Sequence, residues 1–565
     1  MFDKNALKEI KTAFEQWETA NKEEFAKEDK REFVTESGIP MKRVYTPLDL
    51  AERGFDYKKD VGLPGSYPFT RAISPIGYRG GGWTSSQYAG RPTPEESNEV
   101  WKTQLAAGQS SIYIAYDLPS QLGYDPGHPM AEGEVGRVGI SMCSLRDWEV
   151  ALDGIDIEKL FVSQVNNAPA IVAVACHIAL AEKRGADLKK CAGSCQNDIL
   201  KEYMARGNFI FPPVPGMRLA VDTVSYCGEH MPKYSPMTVS FNHQLQVGAH
   251  PVHHIAIALA DAFAYYQYAV DRGLDIDDLA PGVMFLAGMG HHDMFEEIAK
   301  FRAMRKIYAR VLRDRFGAKK PASQAAKFYG GACGTDMYRE QYLNNISRGA
   351  ITAVIGALAG VQICDLRAYD ESYGIPTKDA LLVALRTQQV AFHETGLADT
   401  VDPLGGSYLV ESLTLELEER ILKTLEEFER EGGVLEGIES GYFRRLMGED
   451  AWKLNKRFEK GEIVRVGVNR FTSEEDQPPG VVYRSDPKTE GVRVAALQDL
   501  KRNRDNEKVA KALANVKELA RAEATADNNM MPAVLAAVKA YATYGEICDV
   551  LRDVWGEFKE STNIF

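Results

Sequence analysis

The chain has 565 residues, 45% of them hydrophobic and 26% charged, with a formal net charge of -13. That length exceeds one ordinary core, so two or three folding units are expected, and the composition is that of a soluble globular enzyme. The acidic balance leaves no broad basic surface for nucleic-acid phosphates, although a few placed Arg or Lys residues suffice for one anionic ligand. No stretch approaches the roughly 20 consecutive apolar residues of a membrane span.

The N-terminal residues 1–50 are charged and helical in pattern, without an apolar signal core or Arg-rich transit character, and are expected to pack on another subunit or over the body. Residues 55–100 are rich in Gly, Pro, Tyr and Ser and read as loop or extended chain, of a length that tends to be functional. From residue 110 onward, short apolar or β-branched runs alternate with helix-period segments. The runs are 110–117, 135–142, 159–165, 189–196, 236–243, 282–288, 326–334 and 361–367. Eight such runs predict a closed (β/α)8 TIM barrel, or else a large doubly wound sheet. Chemistry then belongs at the C-terminal strand ends: Asp117, Asn166, Gln196, His243 and the turn after Leu286. Ser163, Ser194, Ser240 and the Gly330–Gly331 pair stand where a barrel interior ordinarily takes Val, Ile or Leu. Either these small residues line an axial channel for a long thin ligand, or they face the helices.

Residues 380–460 are strongly helical, 465–495 are turn-rich and read as a linker, and the remainder returns to helix. The expected division is therefore an arm over 1–100, a barrel over 101–380 and a C-terminal helical region over 381–565, with a linker near 465–495. The eight cysteines are scattered, several inside apolar runs, which reads as reduced thiols of a cytoplasmic protein. Cys191 and Cys195 lack a second Cys or His cluster at zinc spacing, so no structural metal is expected.

Several stretches carry a resemblance: QYAG (87–90), YDLPSQLGYD (116–125), SCQNDILKEYMARGNFIFPP (194–213), HMPKYS (230–235), GSYLVESLT (406–414) and YGEICDVLRDVWGE (544–557). In these, and in their order over nearly the whole chain, the sequence resembles the methylmalonyl-CoA mutase family. Segments 290–303 and 383–403 are most similar to its isobutyryl-CoA and 2-hydroxyisobutyryl-CoA mutase branch. The resemblance implies a barrel threaded by an acyl-CoA, and adenosylcobalamin presented to its top face by a flavodoxin-like domain. That domain carries an Asp-x-His-x-x-Gly string, which this sequence lacks, Asp125 and His128 having the wrong spacing. The expected cobalamin carrier is therefore a separate small subunit, in a hetero-oligomer (dimer or tetramer), with no metal held by this chain itself.

The resemblance also assigns residues. His243 takes the position of the donor to the thioester carbonyl, and Gln196 that of a substrate contact. Arg206 and Tyr88 match the arginine and tyrosine that hold a free carboxylate, a sound clamp chemically. Ser163, Ser194, Lys233, Thr84 and Gln87 fall at further substrate positions, and Glu371, Ser372, Gln246 and Gly334 on the adenosyl side. Three family arginines are replaced, by Gly81, Ser86 and Gly282, with Arg79 lying close to the first. VQICDLR (361–367) and Thr335 also depart from the pattern. The implied reaction is the radical 1,2-rearrangement of a carboxylated acyl thioester, of methylmalonyl, succinyl or branched alkylsuccinyl type. A branched monoacid such as isobutyryl or 2-hydroxyisobutyryl is the alternative. From another class, His250, His253, His254, His291, His292 and Asp293 offer ligand types for a metal-dependent barrel hydrolase, and a non-catalytic partner-binding paralogue is a further reading.

Overall fold

The computed structural model describes residues 3–28, 32–474, 478–480 and 482–560. Its ten parallel strand segments are β1 (Thr84–Ser86), β2 (Tyr88–Ala89), β3 (Ser111–Ala115), β4 (Phe161–Val165), β5 (Ala192–Cys195), β6 (Tyr234–Ser235), β7 (Met237–Ser240), β8 (Val283–Met289), β9 (Phe328–Ala332) and β10 (Ile363–Asp365). They pair as two five-stranded sheets, β1-β10-β9-β8-β7 and β2-β3-β4-β5-β6. The sheets are halves of one ring. Gln87 alone separates β1 from β2, and Pro236, which has no N–H for the ladder, alone separates β6 from β7. Counted as continuous chain, the segments make eight strands in a closed (β/α)8 barrel, and the Thr238 N–H donates to the Gln196 carbonyl at 3.0 Å across one junction.

Seven of the eight expected strand runs hold a barrel strand. The run 135–142 does not, because it makes only an isolated bridge, Tyr116 to Ile140. Its place in the ring is taken by residues 84–89, where a polar Thr-Ser-Ser-Gln composition hides a strand whose neighbours supply the packing. Alternation along each strand separates two environments. Ile112, Ile114, Val162, Val239 and Phe285 face the surrounding helices in the main core. Tyr113, Leu286 and Tyr329 face the lumen. The serines face the lumen too, for the Ser163 and Ser194 hydroxyls are hydrogen-bonded to each other.

The helix after β8, Met294–Asp314, binds the barrel to both flanking regions through buried charge. Arg302, whose side chain is fully buried, donates to Asp402 Oδ2 and to Glu411 Oε1, each at 2.5 Å. Lys306 bridges Asp60 at 2.8 Å and Glu418 at 2.6 Å. Arg305 donates to the carbonyls of Thr70 and Ala359. The helix Lys4–Ala20, in contrast, buries none of its residues. Among the described residues no helix is long and apolar enough to cross a membrane. Replacing Arg302 by Met should leave the buried Glu411 without a cation and Asp402 with Arg71 alone, and cost about 3–5 kcal/mol in equilibrium urea denaturation; a loss below about 1 kcal/mol would show that Glu411 needs no cationic partner.

Candidate active site

The C-terminal strand ends carry a buried polar network. Asp198, just beyond β5, accepts from the Ser240 backbone N–H at 2.8 Å and from the Tyr265 hydroxyl at 3.0 Å. That fixes the end of β7. The chain then enters the short helix Asn242–Gln246, and the Ser240 hydroxyl meets His243 Nδ1 at 2.8 Å. Burial, and then the cations Lys201, Arg206 and Arg367, hold His243 well below the ordinary histidine pKa. The imidazole is therefore neutral near pH 7. Gln196 accepts from Lys201 Nζ at 2.5 Å and from the Asn167 amide at 3.1 Å. Lys201 is itself fully buried and also reaches Asn167 Oδ1 at 2.9 Å and Glu202 at 3.3 Å.

Arg206 ends the π-helical turn Glu202–Arg206 and retains a partly exposed side chain. Its guanidinium donates to Gln121 Oε1 at 2.6 Å and to Glu202 Oε1 at 3.3 Å. Tyr88, on β2, packs its ring on Tyr113 with centroids 5.0 Å apart, and the Arg367 guanidinium lies 5.5 Å from its centroid. Burial raises the Tyr88 phenol, against the opposing influence of Arg206 and Arg367. The fold thus gathers Tyr88, Arg206 and Arg367 into one electrostatic neighbourhood, and the charge of both arginines also acts on His243.

Other expected residues fall in different places. Glu371 sits on a 3-10 turn beside Arg367, at 3.9 Å, and a Cβ built on Gly334 would lie 3.9 Å from its carboxylate. The Ser372 hydroxyl is buried without a partner in the described structure. Gln246 lines a separate cavity of about 380 Å³ with His292, Thr335, Asp336, Tyr338 and Phe458. Thr84 lies on β1, pairing with Ile363, two residues from the lumen-facing Ser86. Gln87 does not join the chamber. Its amide points outward, donating to the Leu381 carbonyl at 2.6 Å and accepting from Gln104 at 3.1 Å, because strand alternation between Ser86 and Tyr88 turns it to the helices. Lys233 is exposed and precedes β6, at the opposite end of the barrel from His243. The Asp117 carboxylate is committed to the backbone N–H groups of Gly136 and Ser120.

The histidines separate in a similar way. His250 and His253 face Asp450, with His253 Nδ1 2.6 Å from its carboxylate, and His291 and His292 face Asp336. His254 is buried against Phe241. None of these points into the Tyr88–Arg206–His243 neighbourhood. Arg367 and Lys201 were missed in the sequence. Arg367 stands two residues past Asp365 in an otherwise apolar run, with its guanidinium 2.8 Å from that carboxylate, and a charged pair closing a strand is the signal that could have found it.

Of the two readings of the small residues, the serines face the lumen, which they share with an apolar cluster. Tyr113, Val165, Met284, Leu286, Tyr329 and Ile363 form one apolar cluster, each no more than 5% exposed. An eight-stranded ring has just enough interior for such side chains. The serines do line the lumen, but bulky neighbours occupy the space beside them.

Fold and site define a (β/α)8 barrel enzyme whose polar groups converge at the C-terminal strand ends. The methylmalonyl-CoA mutase family model matches residues 34–557, and the chain belongs to that family. It is 38% identical to the 2-hydroxyisobutanoyl-CoA mutase large subunit of Aquincola tertiaricarbonis, over 95% of this chain and 94% of that one. It is also 35% identical to a methylmalonyl-CoA mutase of Rhizobium meliloti, over 93% of this chain and 72% of the relative. With the human mitochondrial methylmalonyl-CoA mutase it shares 34% identity, over 93% and 69%.

Because the folded-state pKa of His243 lies below the ordinary 6.5, the folded protein resists its protonation, and this group lowers stability as pH falls through that value. The ring should remain neutral at pH 6 in nitrogen-15 NMR of labelled histidine, where an exposed histidine is mostly protonated. A His243 signal titrating near 6.5 would contradict the burial and the cationic surroundings.

Proposed function

We propose that this chain is the catalytic barrel of an adenosylcobalamin-dependent mutase that rearranges the carbon skeleton of a carboxylated acyl thioester. The observation that carries the reading is the convergence of Tyr88, Arg206 and His243 at the C-terminal strand ends. The Ser240 hydroxyl lies 2.8 Å from His243 Nδ1, and in the tautomer in which the hydroxyl donates, the ring proton sits on Nε2, where it can be donated to a thioester carbonyl. Arg206 and the Tyr88 hydroxyl take the substrate carboxylate, and Gln196, held by Lys201 and Asn167, is a fixed polar wall. Such placement keeps the migrating group against its acceptor carbon and excludes water.

Adenosylcobalamin, when bound, supplies the adenosyl radical that abstracts a hydrogen atom. The residues present fit its ribose: Glu371 offers an acceptor, the unpartnered Ser372 hydroxyl an additional donor, and Gly334 leaves space beside them. The cobalamin rides on a separate small subunit, a reading supported by the relative named as a large subunit and matched over 94% of its length. A cytosolic setting is supported by the eight cysteines, all buried free thiols.

Mixing the chain with a small cobalamin subunit and assaying a panel of acyl thioesters should give isomerisation of a carboxylated member. A second reading, a branched monoacid, rests on the 2-hydroxyisobutanoyl-CoA mutase relative. The two separate on one substitution. Arg206→Gln should lower kcat/KM for a carboxylated thioester about 100-fold, equivalent to ~2.7 kcal/mol, and that for a branched monoacid less than about threefold. Equal losses would remove the clamp.

A further inference from the structure

Arg367 stands two residues beyond the end of β10, in a stretch that departs from the family pattern. Alternation along that strand decides where its side chain goes. Ile363 packs in the lumen, while Cys364 and Leu366 pack in the core behind the ring, so Asp365 and Arg367 follow Ile363 to the inner side. The guanidinium carbon accordingly lies 5.5 Å from the centre of the Tyr88 ring. Asp365, fully buried, ties the two residues into one unit. Its Oδ1 accepts from the Tyr88 backbone N–H at 3.2 Å and its Oδ2 from Arg367 Nη1 at 2.8 Å.

The donor count separates the two arginines of the chamber. Arg206 has both terminal nitrogens engaged, Nη2 with Gln121 and Nη1 with Glu202. Arg367 makes one hydrogen bond, through Nη1, and among the described residues Nη2 and Nε make none. Glu371 stands off at 3.9 Å from Nε, beyond hydrogen-bonding distance. The side chain is not sealed in either, since 12% of it stays accessible. What remains uncommitted is therefore the Nε–Nη2 edge, the side of a guanidinium that makes planar two-point contacts with a carboxylate. A carboxylate has about four acceptor positions, more than the Tyr88 hydroxyl and the remaining N–H groups of an already engaged Arg206 satisfy comfortably. The charges of Arg206 and Arg367 both act on Tyr88 and on His243, so the two arginines serve one chamber.

We infer that Arg367 is a second arm of the carboxylate clamp, its Nε–Nη2 edge taking the free carboxylate of the acyl group together with Arg206 and the Tyr88 hydroxyl. It is a specificity-determining residue, selecting a carboxylated acyl thioester over the monoacid of the same shape. Asp365 is then a positioning residue, which fixes Arg367 and the Tyr88 main chain against each other. The inference rests on the carboxylated-substrate reading of Tyr88, Arg206 and His243.

The test is calorimetric binding to the full chain of two matched pairs of coenzyme A thioesters, methylmalonyl with isobutyryl and succinyl with butyryl. In each pair a methyl group replaces the carboxylate. In the pair whose carboxylated member binds more tightly, Arg367→Gln should weaken that member at least about tenfold and its monoacid partner less than about threefold, as Arg206→Gln does. Arg367→Lys, which keeps the charge and loses the planar edge, should fall between wild type and Arg367→Gln. An Arg367→Gln variant that weakens both members alike would overturn the inference, because Arg367 would then only hold Asp365 or Glu371 in place. So would one that keeps the wild-type preference while Arg206→Gln abolishes it. Should Arg367→Gln fail to fold with Asp365 left alone, the Asp365→Asn/Arg367→Gln double variant removes the pair together, still accepts from the Tyr88 N–H, and is read by the same ratios. Failure of the underlying reading looks different. A wild type that prefers neither carboxylated member, or binds nothing, removes the whole clamp and this inference with it. Selective losses in both arginine variants, without isomerisation when a cobalamin subunit is added, would remove the mutase reading and leave Arg367 in the clamp.

Discussion

The interior of an eight-stranded parallel ring holds little more than the side chains that point into it, and that limit governs this molecule. Every inward position is a choice between wall and vacancy. Here Tyr113, Tyr329, Met284 and Leu286 pack together in the middle of the lumen. The small residues that remain, Ser163 and Ser194, satisfy each other across adjacent strands and are not left pointing at an empty axis. Ser240 is turned to a different use, orienting His243.

The chamber works by keeping charge expensive to move. Lys201 is buried and paired with Glu202, Asp198 is held by the Ser240 N–H and the Tyr265 hydroxyl, Arg367 is matched by Asp365, and His243 is kept neutral between cations. Few of these groups can change protonation state without breaking a partner, which suits chemistry that needs a fixed polar frame around a reactive centre. The rigidity extends outward through Arg302 and Lys306, whose ion pairs join the helix behind the barrel to both the arm and the C-terminal helices. A site assembled from eight strand ends is only as well placed as the ring that carries them.

Much of this was legible in the sequence, for identifiable reasons. β-branched and apolar runs at regular spacing give seven barrel strands, and Gln196, Arg206, His243 and Tyr88 stand in an order that the ring converts into proximity. What failed was of two kinds. The strand at 84–89 has too few apolar residues to announce itself, since its neighbours do the packing, while 135–142 looks like a strand and makes one bridge. The lumen's aromatic packing was not legible, because Tyr113 and Tyr329 look like ordinary strand aromatics until the ring closes and sets them 5.0 Å apart. Gln87 was placed with its neighbours in QYAG, yet strand alternation at that residue turns its amide to the helices. Arg367 was overlooked although its partner Asp365 is two residues away, and Lys201 is anchored in part by Asn167 from a distant stretch of chain.

The central claim is that this barrel holds a carboxylated acyl group where an adenosyl radical can reach it. The most direct measurement is the visible spectrum of the chain reconstituted with a small adenosylcobalamin subunit, followed by stopped flow as a carboxylated acyl ligand is added. The account expects a rapid, substrate-dependent loss of cobalt–carbon bond absorbance, abolished by Arg206→Gln at the same ligand concentration. A spectrum that stays unchanged with every acyl ligand, in a complex shown to have formed, would contradict it.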